Sequence, residues 1–131
     1  MDFEDEIQFN TSPNEIYELI IDEKKHQEFS KAYVKIERKI GGKCNWYNSM
    51  FGEIILLKQD KKIIHTWRGN DWPESHCATV YFVFRNVPEG TLIEFKLKDI
   101  PDIEPFCSID WKAGWEVAYW KPIREWLKKR S

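Results

Sequence analysis

The sequence predicts an α+β fold: a curved antiparallel sheet wrapped around one long C-terminal helix, with two short helices after the first strand. Three observations carry this. A helix start, Ser12-Pro13-Asn14-Glu15, follows directly on a first strand. From Tyr33 the hydrophobic period changes from helical to two and holds as far as Lys98. Beyond Ile100-Pro101, tryptophans return at helical spacing.

Each element has its own signal. Phe3 to Phe9 reads as a strand with Ile7 and Phe9 on one face. Ser12 suits an N-cap, Pro13 the first helical position, and Glu15 completes a capping box. Ile16, Leu19 and Ile20 follow at helical spacing, so 13–22 is an amphipathic helix. A second helix covers 24–30, anchored by Phe29. Val34 and Ile36 then alternate with charged residues up to Ile40, and Gly41-Gly42 marks a hairpin turn into Lys43 to Tyr47. Gly52 to Leu57 and Ile63 to Arg68 form a strand pair around Asp60-Lys61-Lys62. Thr79 to Val87 and Thr91 to Lys98 flank a turn at Pro88-Glu89-Gly90, with Ile93, Phe95 and Leu97 sharing a face. Ile100-Pro101-Asp102-Ile103-Glu104-Pro105 breaks the pattern. The stretch 108–129 reads as one helix carrying Trp111, Trp115, Ala118, Pro122 and Trp126 on a stripe, with Tyr119 and Ile123 beside it. Pro122 lacks an N–H and meets the carbonyl of Ala118, which predicts a kink.

The bulk numbers exclude several classes. The chain has 131 residues, which fits a single domain over 1–131. A net charge of -2 argues against nucleic-acid binding, which calls for a basic excess. No apolar run approaches ~20 residues, so no membrane partner is expected. The acidic start, Met1 to Glu6, lacks the apolar stretch of a signal peptide. Cys44, Cys77 and Cys107 are odd in number and widely spaced, which suits reduced thiols and a cytoplasmic setting. Aromatics at 15%, with seven Trp, imply a core, pocket or interface rich in planar groups.

The stretch Trp67-Arg68-Gly69-Asn70-Asp71-Trp72-Pro73-Glu74-Ser75-His76 is the best functional candidate. It offers no nucleophile and no acid–base pair. It reads as a loop holding large flat side chains at a surface, which is binding chemistry. Trp67, Arg68, Trp72, Pro73, Glu74 and His76 are the candidate partner-binding residues. Trp67 reads equally as core, and Arg68 could instead pair with a nearby carboxylate. Trp72, between Asn70-Asp71 and Pro73, is expected to be partly exposed. His65, following two isoleucines inside a strand, reads as structural. His76 and Cys77 are adjacent and point to opposite faces of a strand, and no zinc spacing occurs, so neither metal nor cofactor is expected. The acidic run Asp99, Asp102, Glu104 and Asp110 precedes the last helix, where Asp110 complements the dipole. There is no phosphate-cradling glycine loop, nucleophile elbow or paired-carboxylate motif, so the chain does not read as an enzyme. Trp46, Tyr47, Trp111, Trp115 and Tyr119 are the candidate lining of a cavity between sheet and helix; filled core is the competing reading. Lys121, Arg124, Lys128, Lys129 and Arg130 make the C-terminus basic, either as solvated surface or as a steering charge.

These pieces resemble a known family. Ser12-Pro13-Asn14-Glu15-Ile16-Tyr17, Gly41-Gly42-Lys43, Gly52-Glu53-Ile54, Ile63-Ile64-His65-Thr66-Trp67-Arg68, Trp72-Pro73-Glu74-Ser75-His76-Cys77-Ala78-Thr79, Ile100-Pro101 and Gly114-Trp115-Glu116-Val117-Ala118-Tyr119-Trp120 look like the C-terminal domain of activators of heat shock protein 90 ATPase. The resemblance implies a helix-grip fold of the Bet v 1/START-like type. It implies a co-chaperone module that binds heat shock protein 90 and favours its closed, ATP-hydrolysing state. The alternative is a carrier of a small hydrophobic ligand in the cavity under the C-terminal helix. Full-length activators carry a separate N-terminal docking domain; this chain reads as starting directly on the second domain.

Overall fold

The structure is a computed structural model and describes residues 1–130. Seven strands form one antiparallel sheet in the order β1-β7-β6-β5-β4-β3-β2, so β1 and β2 are its edges. The strands are β1 (Phe3–Phe9), β2 (Val34–Ile36), β3 (Lys43–Trp46), β4 (Met50–Lys58), β5 (Lys62–Gly69), β6 (Ala78–Val87) and β7 (Gly90–Lys98). Two helices, α1 (Pro13–Ile21) and α2 (Glu23–Ser30), carry the chain from one edge to the other. A 3₁₀ turn (Phe106–Ser108) leads into α3 (Trp111–Trp115), a π turn (Glu116–Trp120) and α4 (Lys121–Lys129). This is the expected α+β helix-grip architecture.

Alternation decides which face is buried. In β6, Ala78, Val80, Phe82 and Phe84 point inward and are buried; in β7, Thr91, Ile93, Phe95 and Leu97 do the same. Onto this face packs the C-terminal helix. The Phe95 ring lies 4.6 Å from Trp115 and 5.5 Å from Trp120, and Phe82 lies 6.2 Å from Tyr119. On the same face α1 contributes Ile16, Tyr17, Leu19 and Ile20, with Tyr17 edge-on to Phe84. One register shift between Ile54 and Leu56 marks a bulge that leaves Ile55 exposed.

Three local expectations are corrected. The capping box is half made: the Ser12 hydroxyl accepts the Glu15 N–H, but the Glu15 carboxylate bonds the Thr11 hydroxyl and the Arg130 guanidinium. Glu15 thus ties the start of α1 to the end of α4. The strand expected up to Ile40 stops at Ile36, because the chain turns on itself through Lys39 N–H to Glu37 C=O and Gly42 N–H to Lys39 C=O. A Cβ on Gly42 would stand 2.0 Å from the Glu37 carbonyl, so only glycine closes this turn.

The third correction concerns Pro122. In place of a simple kink, the helix widens: Lys121 donates to the carbonyl of Glu116, five residues back, and Pro122 falls in the first turn of α4. The widened turn stands immediately before Pro122, which has no N–H to donate back to it. The extra residue in the turn shifts the phase of the buried stripe. Tyr119 and Trp120 are buried together, Ile123 follows, and Trp126 is left half-buried at the margin. Trp120, absent from the predicted stripe, is 1% exposed.

This phase shift sets the cost of truncation. Trp120→Ala should destabilise the fold by about 3–5 kcal/mol, and Trp126→Ala by less than half of that. Urea denaturation of the two variants measures it; equal costs would mean an unbroken helical phase.

Candidate functional site

The segment after β5 is held by its own backbone. The Arg68 guanidinium donates from Nη1 to the carbonyl of Pro73 and, at 2.9 Å, to that of His76; Nη2 donates to Trp72 C=O at 3.2 Å. One side chain therefore closes a loop of eight residues, from Gly69 to His76, by its carbonyls. Among the described residues no carboxylate pairs with Arg68 by hydrogen bond; the expected alternative partner is replaced by three carbonyls. Further along, His76 donates from Nε2 to the carbonyl of Asp99 at 2.6 Å, pinning the loop to the segment after β7.

Trp72 is buried, at 7% exposure, which corrects the expected partial exposure. Its ring sits edge-on to Trp67 at 5.7 Å and 5.5 Å from Phe106. A Cβ on Gly69 would lie 2.8 Å from the Trp72 indole, so the glycine makes room for the ring. Trp67 follows Ile63 and His65 on the inward face of β5 and is half-buried. Pro73 and His76 are half-buried as well, while Asn70, Asp71, Glu74, Ser75 and Cys77 are exposed. The flat side chains thus support the loop from beneath, and an acidic rim faces outward. Asp99, Asp102, Glu104 and Asp110 are also exposed, and Asp110 caps α3 by accepting the Ala113 N–H. The basic C-terminus is partly used internally: Arg124 pairs with Glu116 and Arg130 with Glu15, each at 2.7 Å.

Behind the loop is a cavity of about 260 Å³. Trp46, Tyr47, Trp111, Trp115 and Tyr119 all line it, joined by Trp67. Ser49, Met50 and Ile109 lie around it, with the exposed Gly114 and Ala118. The Tyr47 hydroxyl is hydrogen bonded to His26, and burial pushes the Tyr47 and Tyr119 phenols above their ordinary range. Tyr47 stands in a turn with φ 64, followed by Asn48 with φ 57. Such a pair of left-handed residues makes a hairpin turn normally left to glycine and asparagine, so a tyrosine here is strained.

Sequence reasoning missed His26. It is fully buried on α2, with Nδ1 at 2.9 Å from the Ile20 carbonyl and Nε2 at 2.7 Å from the Tyr47 hydroxyl. Its signal was its position three residues before Phe29, on the same helix face. Burial lowers its pKa to about 4, against the opposing bond to Ile20. His65 is likewise buried, donates from Nδ1 to Thr66 C=O at 2.8 Å, and is lowered by burial to about 4. Both rings are neutral near pH 7.

The family described as "Activator of Hsp90 ATPase homolog 1-like protein" matches residues 10–128. The chain belongs to this family. Among members of this Hsp90-activator family, the mouse activator of 90 kDa heat shock protein ATPase homolog 2 is 33% identical over 122 residues, covering 92% of this chain and 36% of that protein. The human activator homolog 1 is 30% identical over 118 residues, covering 89% and 34%. The chain thus spans about a third of the length of these curated relatives. A solved HSP90 activator from Plasmodium falciparum superposes with a TM-score of 0.89 at 23% identity, covering 98% of this chain and 96% of that one, which shows the shared fold. The family's description is that of an activator, a binding-type module. Among the described residues no three His, Cys, Asp or Glu side chains gather as metal ligands. No helix there is long and apolar enough to cross a membrane.

Two measurements check the site. Arg68→Ala should cost about 1–3 kcal/mol, because buried carbonyls lose their donor, and should speed hydrogen exchange at Trp72 and His76. Unchanged exchange would show that the loop holds itself. For the histidines, the folded pKa lies below the ordinary 6.5. Their stabilising contribution is therefore complete above pH 6.5 and is lost as pH falls towards 4, by up to about 3 kcal/mol for each ring. Unfolding should take up close to two protons in that window, measured as the pH slope of the urea-derived free energy.

Proposed function

We propose that residues 1–131 act as a single cytoplasmic co-chaperone module that binds heat shock protein 90 and raises its ATPase rate by favouring the closed state. Family membership, together with the loop Gly69 to His76 closed by Arg68, supports this reading. The mechanism is a population shift: a protein that binds the closed state more tightly raises turnover without placing any group in the chemistry. The loop is already ordered by Arg68, so little entropy is lost on docking. Pro73, Glu74 and His76 form its edge, and Trp67, Arg68 and Trp72 hold that edge in place from beneath. The exposed Asp71 and Glu74 make the contact acidic, so the matching chaperone surface is basic.

The test is binding and ATP hydrolysis with the chaperone from the same cell. Excess protein should bind and raise the hydrolysis rate, with an affinity that falls as salt rises. Glu74→Lys, at an exposed position, should weaken binding about threefold to tenfold without changing the thermal midpoint. No binding and no change in hydrolysis would end this reading.

A further inference from the structure

Charges on the outer face of the sheet are mostly settled between neighbouring strands. Lys43 stands opposite Glu53 across β3 and β4 and pairs with it at 2.5 Å. Lys96 stands opposite Glu4 across β7 and β1, at 3.5 Å. Glu6 and Glu94 oppose each other as like charges, and Arg85 relieves them by pairing with Glu94 at 2.7 Å. A second like-charged pair has no such relief. Lys58 of β4 lies directly opposite Lys62 of β5, and Lys61 stands in the turn that joins them. Opposed side chains in a ladder lie about 5 Å apart at Cβ, and like charges there destabilise the sheet. Among the described residues, none of the three ammonium groups has a hydrogen-bond or ion-pair partner. The carboxylate between them in the chain, Asp60, is taken up by amides: it accepts from Asn14 at 3.0 Å and from Gln59 at 2.8 Å.

The three lysines border a groove of about 650 Å³. Lys62 is in register with Val83 of β6, so Val83 and, two residues on, Arg85 share its face. Val87 extends the apolar part of the groove, and Asn86 adds an exposed amide. The turn is fixed against β6, because the Lys61 carbonyl accepts the Phe84 N–H at 2.9 Å. Backbone pairing thus places the cations before any ligand arrives. The groove lies at the far end of β5 (Lys62–Gly69) from the loop closed by Arg68, about 23 Å away at ~3.3 Å per residue.

The kind of cation selects the ligand. Arg38, Arg85, Arg124 and Arg130 are each paired with a glutamate, whereas the unpaired cations of the groove are lysines. A planar carboxylate favours the arginine fork; ammonium groups are point charges that can converge on a tetrahedral oxyanion. Lys58, Lys61, Lys62 and Arg85 against Asp60 leave the lining with a charge of +3. One phosphate monoester brings at most about two negative charges, so neutralisation takes more than one.

We propose that this groove binds a small molecule carrying two or three neighbouring phosphates, held by Lys58, Lys61 and Lys62. The bound phosphates offset the repulsion between Lys58 and Lys62, so the ligand stabilises the strand pair on which it sits. Nucleotides and inositol phosphate headgroups share this chemistry. The site goes beyond the chaperone reading and makes no use of the loop Gly69 to His76.

The test uses the intact chain without the chaperone, at constant ionic strength, and four anions: sulfate, tripolyphosphate, metal-free ATP and inositol trisphosphate. Calorimetry gives affinity, and amide chemical shifts give location. Tripolyphosphate should bind at least about tenfold more tightly than sulfate, shift the amides of Lys58, Lys61, Lys62 and Arg85, and raise the thermal midpoint. The tighter of ATP and inositol trisphosphate names the source of the phosphates; equal affinities would show that the phosphates alone are read. Lys58→Gln combined with Lys62→Gln should weaken tripolyphosphate at least about tenfold, while the midpoint of the free protein holds or rises because the like-charged pair is gone. Loss of binding would then not be loss of fold. Lys43→Gln, which removes a cation elsewhere on the sheet, should leave the affinity unchanged. No binding of tripolyphosphate, sulfate binding as tightly, full binding by the double variant, or a lower midpoint in that variant would each overturn the proposal. So would a hexa-aspartate peptide that binds as tightly as tripolyphosphate, which would make the groove a seat for an acidic segment of a partner.

Discussion

One missing N–H organises the interior. Pro122 cannot donate to the carbonyl of Ala118, and the helix meets this by taking a wider turn from Glu116 to Trp120. In a regular helix with Trp115 on the sheet, the next inward positions are Tyr119 and Ala118, and Trp120 lies well around the cylinder. Widening the turn brings Tyr119 and Trp120 inward together. Trp120 fills the space over Phe95 and Phe82, and Tyr119 is left edge-on to His26 at 5.3 Å. The tight part of the core and the hollow part are thus allotted by one backbone irregularity. Glu15 and Arg130 fasten the far end of the same helix to α1, so the irregularity is locked between two anchors.

The polar groups inside this apolar body are all neutral. His26 is bonded at both ring nitrogens, to the Ile20 carbonyl and the Tyr47 hydroxyl, and desolvation keeps the imidazole uncharged and the Tyr47 and Tyr119 phenols protonated. A charge there would have no counter-ion. The only guanidinium drawn into the candidate loop, Arg68, is half-buried and spends its charge on backbone carbonyls. The outer face of that loop carries the opposite sign.

The sheet was the easiest part to read from sequence. Strands β5 to β7 alternate cleanly because one face is buried, and Phe82, Phe95 and Leu97 declare it. The wall of the cavity was legible for a related reason: tryptophan and tyrosine on an inward helix face must border something large. Trp72 was not legible. Its partner Phe106 comes from a distant segment, and the space for its ring is made by the absence of a side chain at Gly69. The partners of Arg68 are carbonyls, which leave no mark in a sequence. Trp120 was lost because periodicity assumes an even helix, and His26 because a single polar residue in a short helix does not reveal that its ring is enclosed.

The edges of the sheet bear on how this molecule meets copies of itself. An open sheet offers bare backbone at both margins, and two such margins can pair into a fibre. Here β2 spans three residues only, too few to template a partner strand. At the other margin, β1 carries exposed Glu4 and Glu6, and Asp5 falls on the same side as Ile7 and Phe9. A second chain laid along β1 would align carboxylates against carboxylates. The fold therefore guards against aggregation by repulsion at one border and brevity at the other, and remains free to carry a sticky aromatic interior.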